Sequence, residues 1–121
     1  MLLDSNILVD VIRNVSPALG FVKSLAKKPH ASVVTLAELV AGARSRTEEA
    51  AIRALQRWVR FLDVDAAISE RAGQFMKHYQ ASHGFDDLDA IIAATAEHHG
   101  LELATLNVKH FPMFRRLKPA Y

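Results

Sequence analysis

The chain of 121 residues contains no cysteine. That absence excludes disulfides and thiolate metal sites, and it suits a reducing compartment. Aromatic residues are also sparse, at 7% of the chain, and no aromatic motif marks a platform on which unpaired bases would stack. Charge of one sign is nearly absent in sum: 15 Lys and Arg face 13 Asp and Glu, for a formal net charge of +2. No stretch approaches the ~20 apolar residues that a membrane span needs. The opening MLLDSNILVD has an acid at its fourth position and no basic segment, so no secretory signal is expected and a cytoplasmic location is. Linkers, low-complexity tracts and internal repeats are missing as well.

What is present fits one globular domain spanning residues 1–121: 50% of residues are apolar and 23% charged, enough to bury a real core. Four short apolar runs, Met1–Asp4, Ala31–Val34, Phe61–Val64 and Glu102–Thr105, are too short for helices and read as buried strands. Between them the pattern turns helical. Asn6–Arg13 and Pro17–Lys27 are expected as two helices, with Ser16 as N-cap of the second. Leu36–Ala43 reads as a short helix and Thr47–Arg60 as a long one, with Ile52, Leu55 and Val59 on its buried face. Ala66–Tyr79 follows, broken at residues 82–84. Asp87–His99 is Ala-rich and ends at Gly100, as a helix C-terminus should. Alternating strands and helices give an α/β fold with a mostly parallel central sheet of four to five strands, flanked by helices. Ligands of such sheets bind in the crevice beyond the carboxyl ends of the strands.

Four polar residues from distant positions fall at that edge. Asp4 closes the first strand, Glu38 lies one helical turn after the second, Asp89 opens the Ala-rich helix, and Asn107 follows the last strand. Each acid has a second reading as a helix cap: Asp4 before its helix, Thr35 with Glu38 as a capping box, and Asp86 with Asp89 as another. Taken singly, each acid favours the cap. Taken together they favour a cation, because convergent carboxylates repel unless one neutralises them. All-oxygen donors without Cys or paired His suit Mg²⁺ or Mn²⁺ rather than Zn²⁺. Such a cation orients a phosphate ester and lowers the pKa of its water.

The segments LLDSNILVD (Leu2–Asp10), VVTLAELVAG (Val33–Gly42) and DAIIAATAEHHGLELATLNVKHF (Asp89–Phe111) resemble the PIN-domain family, and especially its VapC-like ribonuclease toxins. The resemblance covers nearly the whole chain. It implies a single PIN-like domain and an endoribonuclease dependent on Mg²⁺ (or Mn²⁺), leaving a 5′-phosphate and a 3′-hydroxyl. It places the metal on Asp4, Glu38 and Asp89, and the family's final polar position on Asn107. Asn there weakens a fourth charged ligand and suits a hydrogen bond to a water or a neighbouring carboxylate. The resemblance also implies an RNA substrate, a VapB-like antitoxin partner seated in the active-site groove, and a homodimer. A PIN-like module that binds RNA or a partner without cleaving, and an RNA-processing nuclease outside a toxin–antitoxin pair, remain as alternatives.

Other features have plainer readings. Asp86 and Asp87 read first as capping residues. Ser5 and Asn6 read as hydrogen-bonding support for the acids, and Thr105 as a fixture of the strand end. Six histidines raise a metal-free acid–base mechanism, but adjacent His98 and His99 point apart on a helix and suit its C-terminal dipole. His110, near Asn107, could touch a phosphate but reads first as a loop residue. Trp58 and Phe61 favour packing over base stacking, and Phe111, Met113 and Phe114 favour packing of the C-terminus. The basic groups Arg44, Arg46, Arg53, Arg57 and Arg60, and Lys109, Arg115, Arg116 and Lys118, could contact phosphates; charge alone favours solvated surface.

Overall fold

The structure is a computed structural model and describes residues 1–79 and 84–121. Its strands are Leu2–Leu3 (β1), His30–Ser32 (β2), Arg60–Leu62 (β3) and Leu103–Ala104 (β4). They form one sheet in the order β3-β2-β1-β4, and every neighbouring pair is parallel. Among the described residues six α-helices make the crossovers: Ser5–Ile12 (α1) and Ser16–Lys23 (α2) lead to β2, Val33–Gly42 (α3) and Arg46–Trp58 (α4) to β3, and Ala66–His78 (α5) and Asp87–His99 (α6) to β4. This is the α/β architecture expected, with four strands among the described residues.

Leu2 and Leu3 show how so short a strand organises two cores. Successive strand side chains point to opposite faces. Leu2 therefore packs with Ile68, Phe75, Ala93 and Leu103 beneath α5 and α6. Leu3 packs with Ile7, Leu8, Ala31, Leu39, Ile52, Leu55 and Ala104 beneath α1, α3 and α4. The alanines of α6 let it approach the sheet closely, and Ala90, Ala93 and Ala94 are fully buried. The chain walks outward from β1 to β3 and then returns to the other side of β1. The sheet's switch point thus lies between β1 and β4, where open α/β folds hold ligands.

Several boundaries differ from expectation for local reasons. The strands are shorter than the apolar runs, and in Ala31–Val34 the reason is that a helix begins inside the run. Helix α3 starts at Val33, with the Ser32 hydroxyl accepting from Val34 N at 3.2 Å. The expected Thr35–Glu38 capping box therefore does not form: Thr35 lies within the helix and is fully buried. Ser16 is the first residue of α2 rather than its cap; Val15 holds that position with no side-chain bond. The Asp86–Asp89 capping box forms in full, and Gly100 ends α6 at φ +61°, the left-handed conformation glycine tolerates. Of the expected break at residues 82–84, only Gly84 lies within the described residues.

Trp58, Phe61, Met113 and Phe114 are partly buried against the two cores, and Phe111 is fully buried. Arg44 and the α4 arginines are exposed; Arg44 stands 3.9 Å from Glu48, and the arginines of α4 itself meet no acid among the described residues. No helix of the described residues is long and apolar enough to cross a membrane.

Candidate active site

Asp4 leaves β1 at the switch point and is 5% exposed. Its Oδ1 accepts from Ser5 N at 2.8 Å, so the expected cap on α1 is present. Its Oδ2 accepts from the Thr105 hydroxyl at 2.7 Å, across the seam between β1 and the end of β4. Burial raises the Asp4 pKa above the ordinary carboxylate value, and the bonds from Thr105 and Ser5 only partly oppose it. Thr105 is itself a junction. Its Oγ1 also accepts from Asn107 N at 3.0 Å and lies 3.5 Å from Asn6 Nδ2.

Ser5 links a second carboxylate to the first. Its hydroxyl donates to Glu38 Oε1 at 2.7 Å and lies 3.0 Å from Thr35 Oγ1. Glu38 thus reaches the α1 N-terminus from α3. It stays solvent-exposed.

Asp89, buried in the first turn of α6, completes the capping box: Asp86 N donates to its Oδ2 at 3.2 Å, and its own N–H donates to Asp86 Oδ1 at 2.8 Å. Burial, then the charge of Asp86, lifts the Asp89 carboxyl to about 7, with Asp4 adding to the repulsion. His110 Nδ1 stands 3.3 Å from Asp89 Oδ2 and opposes that shift. Asp4, Glu38, Asp89 and Asn107 all line one pocket of about 210 Å³ together with Ser5, Asn6, Asp86 and His110. Hollows of about 430 and 630 Å³ lie elsewhere; they are larger, but this pocket is where acids from separate elements converge.

The structure therefore brings all four expected site residues to one pocket and adds two. Asp86 is both the α6 cap and a pocket wall, whereas Asp87 is exposed and outside the lining. His110, read from sequence as a loop residue, faces Asp89. Its signal in the sequence was its place three residues after Asn107, which a turn at Val108–His110 folds back toward the acids. His98 and His99 are exposed and outside the pocket. Among the described residues, no three Asp, Glu, His or Cys side chains are grouped tightly enough to enclose a metal unaided.

The donor chemistry nonetheless fits a hard divalent cation. The donors are oxygens. Asp4 and Asp89 are both raised, and Asp86 repels each. Mg²⁺ commonly keeps several waters and takes only one or two carboxylates, so a loose, acid-lined pocket matches its needs better than a closed cage.

Residues 1–117 match the family model of the PIN domain. Ribonuclease VapC10 of Mycobacterium tuberculosis is 42% identical over 124 residues, which cover 100% of this chain and 92% of that protein. Ribonuclease VapC19 of the same organism is 38% identical over 124 residues, covering 99% and 98%. Among solved structures, a toxin–antitoxin complex from Klebsiella pneumoniae superposes with a TM-score of 0.84 at 29% identity, covering 99% of this chain and 97% of that one. Sequence match, superposition and the acid-lined switch point lead to one assignment: the chain belongs to the PIN-domain family.

Proposed function

We propose that the protein is a Mg²⁺- or Mn²⁺-dependent endoribonuclease and the toxin of a toxin–antitoxin pair. The observation that carries this reading is the gathering of Asp4, Glu38, Asp89 and Asn107 around one pocket at the sheet's switch point. The names of the relatives support it: two are ribonucleases, and a solved neighbour is a toxin–antitoxin complex. The partners would be an RNA substrate, a VapB-like antitoxin and a second copy of the chain, in the cytoplasm.

Asp4, Glu38 and Asp89 would hold the cation. When bound, it supplies Lewis acidity: it polarises a phosphodiester and lowers the pKa of water. The chain's own residues do the rest. Thr105 and Ser5 N fix both oxygens of Asp4, and the Ser5 hydroxyl draws Glu38 to the same rim. One of the three carboxylates receives the proton lost by the attacking water. Asn107, presented just after β4, offers an uncharged amide to a phosphate or a water.

The test is cleavage of structured RNA by the purified chain in Mg²⁺, with both product ends mapped. Discrete cuts leaving 5′-phosphate and 3′-hydroxyl ends support the reading. Cyclic-phosphate ends would overturn it, because they belong to 2′-hydroxyl attack driven by acid–base side chains, and would return the histidines to consideration.

A further inference from the structure

His110 stands where a loop residue would have no reason to be. The Val108–His110 turn is closed by His110 N donating to Asn107 O at 2.9 Å and by Phe111 N donating to Val108 O at 3.1 Å. Phe111, 1% exposed, anchors it in the core. This fixes the ring at the pocket wall with Nδ1 3.3 Å from Asp89 Oδ2. The other side of the ring meets Gly84, on the segment that leads into α6. Gly84 has φ +73°, and a β-carbon there would lie 2.9 Å from His110 Nε2 and 3.1 Å from Cδ2. Glycine is thus favoured by its backbone conformation, and a β-carbon there would have to displace the imidazole.

We propose that His110 is a positioning residue for the cation site, steering the Asp89 carboxylate through Nδ1, and that Gly84 sets where the imidazole stands. Asp89 Oδ2 is engaged by Asp86 N and approached by His110, while Oδ1 takes no hydrogen bond from the described residues. The Asp86 N–H bond and the neighbouring imidazole both fall on one oxygen, which leaves the other oxygen for a ligand. Groups that orient a metal-binding carboxylate commonly change affinity about 10–100-fold when removed. The role needs an N–H at the Nδ1 position. The inference rests on the proposed cation site, and the experiment separates the two.

The experiment is calorimetric titration of the cation-free chain with Mn²⁺ at one fixed alkaline pH, with circular dichroism confirming that each variant is folded. Wild type is expected to bind and Asp89→Asn to lose most affinity. His110→Ala is expected to bind about 10–100-fold more weakly. His110→Asn keeps a donor near the Nδ1 position and is expected to bind like wild type. His110→Gln carries its donor at the wrong reach and is expected to resemble alanine. Gly84→Ala leaves the histidine in place but pushes the ring away, and is expected to weaken binding in the same direction as His110→Ala. A His110→Ala variant that binds as tightly as wild type overturns the role of His110 while the cation site stands. So does an asparagine variant as weak as alanine. If wild type itself takes up no Mn²⁺, the cation reading fails and this inference with it.

Discussion

Replacing Asp89 with Asn is expected to reduce RNA cleavage about 10³-fold while making the cation-free protein more stable at alkaline pH. The activity loss follows from removing a charged oxygen of the proposed cation site: metal stabilisation of a phosphoryl transition state amounts to several kcal/mol, and ~4 kcal/mol is about a thousandfold in rate. The stability gain follows from the environment of the carboxyl. Its pKa is raised from 3.8 to about 7, by burial first and then by Asp86. Between those two values the folded chain holds a proton that the unfolded chain releases. The relative stabilisation is therefore complete below about pH 3.8 and is lost as pH rises through about 7. Asn does not titrate, and its side-chain oxygen can still accept from Asp86 N. Thermal unfolding in EDTA should thus show a wild-type stability that falls across this window and a variant that falls less, a difference of at most about 4 kcal/mol at the alkaline end. Adding Mg²⁺ should raise the wild-type melting temperature much more than the variant's. Parallel pH curves for the two proteins would contradict this account of Asp89.

Thr105→Val is expected to cost about 2–3 kcal/mol of stability and to lower cleavage as well. Thr105 is fully buried, and its hydroxyl serves two partners that valine cannot serve. It donates to Asp4 Oδ2 at 2.7 Å and accepts from Asn107 N at 3.0 Å. A hydrogen bond to a charged group contributes about 1.5–3 kcal/mol, and the Asn107 N–H loses its acceptor as well. In a domain of this size that is a fall of roughly 10 °C in melting temperature. Losing the donor also removes the largest influence holding the Asp4 pKa down, so the penalty should grow with pH as Asp4 is forced to ionise. Thr105→Ser keeps the hydroxyl and should recover most of both properties. A valine variant as stable and active as wild type would show that the seam between β1 and β4 does not support the site.

The sequence carried more of the site than of its supports. Asp4 and Asn107 were legible because each lies within three residues of the end of an apolar run that became a strand, so the edge of the sheet they occupy was settled by order alone. Asp89 was legible because the long Ala-rich pattern marked the start of α6 to the residue. Strand ends were less so. Strands of two or three residues have no periodicity, and the run Ala31–Val34 holds both the end of β2 and the start of α3, divided at Ser32. The capping box expected at Thr35 failed for that reason: the Ser32 hydroxyl captured the helix start first. The Ser5–Glu38 bond joins residues 33 apart, and the contacts of His110 with Asp89 and Gly84 depend on how a turn and a helix entrance meet. Neither leaves a local pattern in the chain.

The central claim is that these carboxylates act through a divalent cation to cut RNA. Its most direct test is cleavage of labelled structured RNA by wild type and Asp4→Asn, first in EDTA and then with Mg²⁺ or Mn²⁺ restored. The account predicts that wild type is silent in EDTA and recovers with the cation, while Asp4→Asn stays silent in both. Cleavage by wild type that persists in EDTA, or an Asp4→Asn variant that cuts at the wild-type rate, would contradict it.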